Sequence, residues 1–203
     1  VKYLKLYESF NEIDAICKKY GIKNYTINSD GSIDVDGNVN LNNKGLKKLP
    51  LKFGKVTGTF YCSNNQLTSL EGSPQYVGGS FYCSFNRLTS LQGCPESVGD
   101  RFDCSHNQLT SLVGSPRSVS GYFNCCNNQL RSLEHFPQVG GDIYLYDNPV
   151  DNIWQLFKDK DKIELLNDYD VIRGNSIIID RLNEFLQEIG KPPVKSVEGY
   201  NNI

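Results

Sequence analysis

Residues 78–99, GGSFYCSFNRLTSLQGCPESVG, and residues 99–120, GDRFDCSHNQLTSLVGSPRSVS, are two copies of one unit. Phe81 and Phe102 occupy the same place in it, and the same step of 21 residues leads back to Phe60 and on to Phe123. Cys62, Cys83, Cys104 and Cys125 keep time with them, as do Asn65, Asn86, Asn107 and Asn128. Leu67, Leu88, Leu109 and Leu130 follow, then Leu70, Leu91, Leu112 and Leu133, and Pro74, Pro95, Pro116 and Pro137 close the units. A fixed period of this length marks a stacked array, in which each unit buries its apolar face only against its neighbours. Two looser copies flank these units. Upstream, Val39, Leu41, Leu46 and Leu49 hold the apolar positions, with Lys44 in the asparagine seat. Downstream, Ile143, Leu145, Asn148, Val150 and Ile153 hold them after a one-residue deletion. Terminal units must meet both core and water, so degenerate ends are expected.

The heart of the unit, F-x-C-x-x-N-x-L, matches the leucine-rich-repeat signature L-x-L-x-x-N-x-L with Phe and Cys in two leucine seats. Alternation at Phe and Cys predicts a short strand with both side chains inward. The Asn stands where the chain leaves that strand and its backbone groups lose their ladder partners. A buried amide there can satisfy groups that would each cost about 1–3 kcal/mol if left unpaired. The L-T-S-L-x-G-x-P half is too short and too rich in Gly and Pro for a helix. It reads as an extended or single-turn convex side, with Gly72, Gly93 and Gly114 allowing the bend. The fold class expected is an α/β solenoid with one parallel β-sheet on the concave face. Six strands at ~4.8 Å would make that sheet roughly 25 Å wide.

Outside the repeats, residues 6–20 carry apolar residues at helical spacing, with Gly21 as a stop. Tyr25 to Asn28 and Ser32 to Asp36 alternate around Asp30-Gly31, a hairpin signal. This helix and hairpin (residues 1–36) would cap the first edge of repeats 37–153, an edge that would otherwise invite aggregation. Val150 to Phe157 and Ile177 to Ile189 read as amphipathic helices anchored by Trp154 and Phe185. They make a helical cap over residues 154–190. Residues 191–203, with Pro192-Pro193 and little apolar pattern, read as a mobile tail.

Composition narrows the function. Twenty-one Lys and Arg against 23 Asp and Glu leave no basic surplus for a phosphate backbone, so nucleic acid is not expected as a partner. No apolar run has the length of a membrane span, and Val1-Lys2-Tyr3-Leu4-Lys5 carries no secretion-signal core. Seven cysteines without a C-x-x-C pair fit a reducing cytoplasm better than a disulfide framework or a zinc ribbon. Cys62, Cys83, Cys104 and Cys125 would point in parallel into the core, which suits packing rather than convergent metal ligation. Cys126, next to Cys125, should face solvent by alternation and is a candidate reactive thiol. Asp34, Asp36 and Gly37 resemble part of a calcium loop, but Ser32 and Asn43 fill two key ligand positions, so hairpin turns explain them better. Lys158 to Lys162 alternates in sign and reads as a solvated helix end. His106 and His135 belong to no nucleophile motif. No phosphate loop, hydrolase elbow, metalloprotease or dinucleotide motif is present. Neither catalysis nor a cofactor or metal is expected.

The outward strand positions carry what the frame does not fix. One side chain per unit lies between the inward Phe and Cys: Tyr61, Tyr82, Asp103, Asn124 and Tyr144. Beside them stand Arg101, Tyr122 and Asp142 before the Phe, and Asn64, Phe85, His106, Asn127 and Asp147 before the Asn, with Tyr146 beyond Tyr144. Exposed aromatics in a row, mixed with Asp and Arg, have the composition of a protein-binding surface. Aromatics also favour strands for their own sake, yet a solvated tyrosine row would be sticky unless used. The expected function is protein–protein interaction by a monomer or weak oligomer. The alternative is a structural or adhesive role, such as a virion component or a glycan-binding surface, since aromatic rows also stack on sugars.

Residues 78–99 and the block DGSIDVDGNVNLNNKGLKKLPLKFGKVTGTFYCS (residues 30–63) resemble leucine-rich-repeat proteins of tailed bacteriophages and some bacteria. The likeness runs over about residues 22–190 and includes DYDVIRGNSIIIDRLNEF at 168–185. It implies a parallel-sheet solenoid, wound as a right-handed superhelix, and a non-enzymatic role in the cytoplasm of an infected host. There it would engage a defence or regulatory protein. A more distant likeness is to bacterial effectors whose short repeats precede a ubiquitin-ligase domain. No Cys follows Cys126, so such a domain is not expected here.

Overall fold

A computed structural model describes residues 2–203, with side chains from Phe10 onward. Each unit places its Phe and the next residue in a two-residue strand, and like pairs with like. Phe60–Tyr61, Phe81–Tyr82, Phe102–Asp103 and Phe123–Asn124 run parallel in register, flanked by Val39–Asn40 and Ile143–Tyr144, as a six-stranded sheet. A second sheet of seven strands corrects the expectation of one. Its members are Tyr25–Ile27, Ile33–Val35, Phe53–Val56, Tyr76–Val77, Ser97–Val98, Ser118–Val119 and Gln138–Val139. Every junction in it is parallel except the hairpin of the first two strands. The segment before each glycine-rich turn is therefore a strand too. In the four later segments only one residue points inward (Val77, Val98, Val119 or Val139), too few to show an alternating pattern in sequence, while Phe53–Val56 buries both its ends.

One continuous core runs along the stack. Phe60, Phe81, Phe102 and Phe123 lie ring on ring at 5.4, 5.5 and 5.5 Å, and the column is closed edge-on by Phe53 at 5.0 Å and Phe136 at 5.3 Å. Each fully buried Phe stabilises the fold by ~1.5–3 kcal/mol, a sum no isolated unit could collect. Cys62, Cys83, Cys104 and Cys125 are fully buried beside them, and burial pushes their thiols far above the ordinary value.

The asparagines work as the sequence predicts and also tie units together. Asn86 Nδ2 donates to the carbonyls of Cys83 in its own unit and Cys62 in the previous one, both at 3.0 Å, while Oδ1 accepts from the Leu67 amide at 2.9 Å. Asn107, Asn128 and Asn148 repeat the pattern. The first unit, with Lys44 in this seat, borrows Asn65, whose Oδ1 accepts from the amides of Lys44 and Leu46. The L-T-S-L halves form neither helix nor strand, and they turn at Gly72, Gly93 and Gly114 with φ of 88°, 86° and 86°. In the next unit His135 takes that place, at φ 60°.

Helix α1 spans Lys2–Tyr20, beginning earlier than the periodicity indicates, and places Ile13 and Cys17 in the core. The Ile22 amide donates to the Cys17 carbonyl across Gly21, which closes the helix at φ 67°. After the repeats come α2 (Asp151–Phe157), a 3-10 turn (Lys160–Lys162), α3 (Ile163–Asp168), the hairpin Ile172–Arg173/Ser176–Ile177 and α4 (Ile179–Glu188). Trp154 and Phe185 are anchors as expected, joined through Phe157, which meets both edge-on. Helix α3 and its hairpin are not evident from the sequence.

The stretch 191–203, read as a mobile tail, is packed instead. Asn201–Asn202 adds a parallel strand to Ser176–Ile177, and Val197 and Tyr200 are buried. The Tyr200 hydroxyl donates to the Arg131 carbonyl, and Arg131 Nη1 donates to the Gly199 carbonyl at 2.8 Å. These partners lie 68 and 69 residues apart, beyond the reach of local pattern reading.

Candidate partner-binding face

The outer surface of the six-stranded sheet follows from its register. Parallel in-register strands place Tyr61, Tyr82, Asp103, Asn124 and Tyr144 side by side, all half-buried. The rings of Tyr61 and Tyr82 stack at 5.4 Å with 10° between planes. The polar members serve the backbone: Asp103 Oδ1 accepts from the Ser105 amide at 2.9 Å, and Asn124 Oδ1 from Cys126 at 3.1 Å. Asp103, a candidate contact residue, thus has half its carboxylate committed to a turn.

The column before the Phe seats gathers a second cluster. The Arg101 guanidinium lies 5.0 Å above the Tyr122 ring and 3.7 Å from Asp100 Oδ2. Tyr122 meets Tyr144 edge-on at 5.7 Å, and the Tyr144 hydroxyl donates to Asp142 Oδ2 at 3.3 Å. Tyr146, 56% exposed, lies 6.4 Å from Tyr144. Burial, then the Tyr82 hydroxyl nearby, pushes the Tyr122 phenol up to about 12, so it stays a neutral donor.

The third column is unusual in its backbone. Asn43, Asn64, Phe85, His106, Asn127 and Asp147 all have positive φ, between 52° and 58°. This left-handed turn takes the chain out of each strand. It costs most residues about 1–2 kcal/mol, and Asn and Asp least. Phe85 and His106 adopt it regardless, with Phe85 51% exposed and the two rings stacked 4.0 Å apart at 13°. His106 is one half of an aromatic plate rather than an isolated surface histidine. The three Asn and one Asp elsewhere in this column were the sequence signal for that backbone.

The same turn overturns the reading of Cys126. Alternation ends at the strand, so Ser63, Ser84 and Ser105 point inward and are buried. Cys126 shares their column, is half-buried, and burial pushes its thiol up rather than down. An activated thiolate needs the opposite shift. Asp34 and Asp36 are used across units: Asp34 Oδ1 accepts from the Lys55 amide at 2.7 Å, and Asp36 from the Thr57 hydroxyl at 2.8 Å. Among the described residues, no three His, Cys, Asp or Glu side chains gather as a metal site. No described helix is long and apolar enough to cross a membrane. A cleft of about 650 Å³ opens between His135–Val139 and α3. On its wall Lys160 Nζ donates to the Val139 carbonyl at 2.7 Å, blunting the last edge of the seven-stranded sheet.

Compared with known protein-family models, curated proteins and solved structures, the chain finds no match.

Proposed function

We propose that this chain is a leucine-rich-repeat solenoid, capped by α1 with its hairpin at one end and by α2 to α4 at the other. It binds another protein through the outer face of its six-stranded sheet, without catalysis. The observation that carries this reading is Phe85. Its backbone is one that Asn tolerates better and its ring is half in water, so the fold alone would be served by the Asn found at positions 64 and 127. Strain and exposure together point to use of the ring. The Tyr61–Tyr82 stack and the Arg101–Tyr122–Tyr144 cluster supply the Tyr and Arg anchors that dominate binding energy at protein interfaces. The resemblance of the repeats to bacteriophage proteins carries the further proposal that the partner is a bacterial host protein met in the cytoplasm.

The test is affinity capture from bacterial lysate by wild type and by Tyr61→Ala/Tyr82→Ala/Phe85→Asn. The triple variant should lose the captured partner while its circular-dichroism spectrum stays the same. An unchanged capture profile would end this reading. The coplanar Tyr61–Tyr82 pair also favours a second reading, an aromatic platform for a sugar ring. Glycan-array binding that disappears in Tyr61→Ala/Tyr82→Ala would select it.

A further inference from the structure

The six-stranded sheet ends at Ile143–Tyr144, and among the described residues no further strand pairs with it there. In the preceding unit the amides of Phe123, Cys125 and Asn127 donate to the carbonyls of Asp142, Tyr144 and Tyr146. The matching amides of Ile143, Leu145 and Asp147 point the same way and meet no acceptor among the described residues. Such a row of donors is a template for one more strand. The other sheet is treated differently, for Lys160 already occupies the carbonyls at its last edge.

Space for a strand is present. A groove of about 310 Å³ runs along the edge, floored by Ile143 and Leu145 and walled by Trp154 and Gln155 of α2. Its chemistry is specific. Asp142 and Asp151 line it with Tyr144 and Tyr146, against a single cation, Lys158. Asp147 stands exposed beside it, and none of these three carboxylates forms an ion pair among the described residues. Asp142 and Tyr144 share the outward face of the strand, joined by a hydrogen bond. Side chains of an added strand on that face would meet carboxylate and aromatic ring together, the surroundings that favour Lys or Arg. Side chains on its other face would meet Ile143, Leu145 and Trp154.

We propose that this edge binds an extended peptide segment of a partner protein by strand addition, with basic residues alternating with apolar ones. The site is an edge rather than a face, so it stands whether or not the tyrosine row binds anything. A second copy of this chain is the competing occupant, because the first strand, Val39–Asn40, is also terminal. That edge sets neutral Asn38 and Asn40, rather than basic side chains, against Asp142 and Tyr144, and its nearby cation, Lys44, stands beyond the end of the strand.

The experiment titrates the full chain with a ten-residue peptide of alternating Lys and Val, followed by fluorescence anisotropy and amide hydrogen exchange. Binding should weaken with salt and protect the amides of Ile143, Leu145 and Asp147. N-methylating the alternate peptide amides that face the edge should weaken it about tenfold, the value of one or two hydrogen bonds. Asp142→Asn/Asp147→Asn should weaken it about fivefold, as expected for partly exposed charge pairs. Tyr61→Ala/Tyr82→Ala should leave it unchanged, which separates this site from the sheet face. Equal binding of the N-methylated peptide, or of a Glu-Val counterpart, would overturn the proposal. So would concentration-dependent self-association in sedimentation that protects the same amides and that the Lys-Val peptide does not compete away.

Discussion

Two neighbouring columns of the stack carry asparagines for different reasons. The column of Asn65, Asn86, Asn107, Asn128 and Asn148 is uniform because each amide joins three or more backbone groups in two units. No other side chain has donor and acceptor at that reach. The column one residue earlier demands only a left-handed backbone. Asn and Asp answer that demand at four of its six positions, and Phe85 and His106 do not. Where hydrogen bonds dictate the residue, the repeat is strict. Where only conformation does, another requirement can outweigh it.

Alkali attacks the frame most strongly. All seven thiols are raised by burial from the ordinary value of 9.0. Below pH 9 thiols in both folded and unfolded chains hold their protons, and stability is full. Above it the unfolded chain ionises while the folded one cannot, so stability falls as pH rises, by about 1.4 kcal/mol per pH unit for each fully buried thiol. Urea unfolding between pH 7 and 10.5 should show a midpoint that is flat and then drops, and a flat profile throughout would contradict the buried column. At fixed pH, Asn86→Ala should cost about 3–5 kcal/mol in the same assay, because it strands several buried backbone groups. In contrast, Phe85→Asn should raise stability by about 1 kcal/mol while weakening partner capture. His135→Gly, at the turn where the other units have Gly, should stabilise by about 0.5–1 kcal/mol without touching capture. Smallest of all, Tyr61→Ala/Tyr82→Ala should move stability by less than about 1 kcal/mol, since both rings are only half-buried. Equal stability losses for Asn86→Ala and the tyrosine pair would erase the distinction between frame and face.

Much of this was legible in the linear sequence. The inward Phe, Cys and Leu seats, the bridging asparagines, the six-stranded sheet, the first hairpin and the two C-terminal anchors follow from period and residue chemistry. Tyr61 and Tyr82 also follow, because register in a parallel stack turns a step of 21 residues into lateral contact. The second sheet was not legible, since a strand with one inward valine has no alternation. Cys126 was misjudged because alternation holds only while the strand lasts, and these strands last two residues.

Sequence alone settled which side chains are inside and how often they return, because burial of a repeated apolar set is possible only by stacking. Tertiary structure decided what happens where the stack ends. There the packing of residues 191–203, the Lys160 bond on one sheet edge and the bare amides of Ile143 and Leu145 on the other depend on groups far apart in the chain. Such meetings leave no periodic trace, because each occurs once.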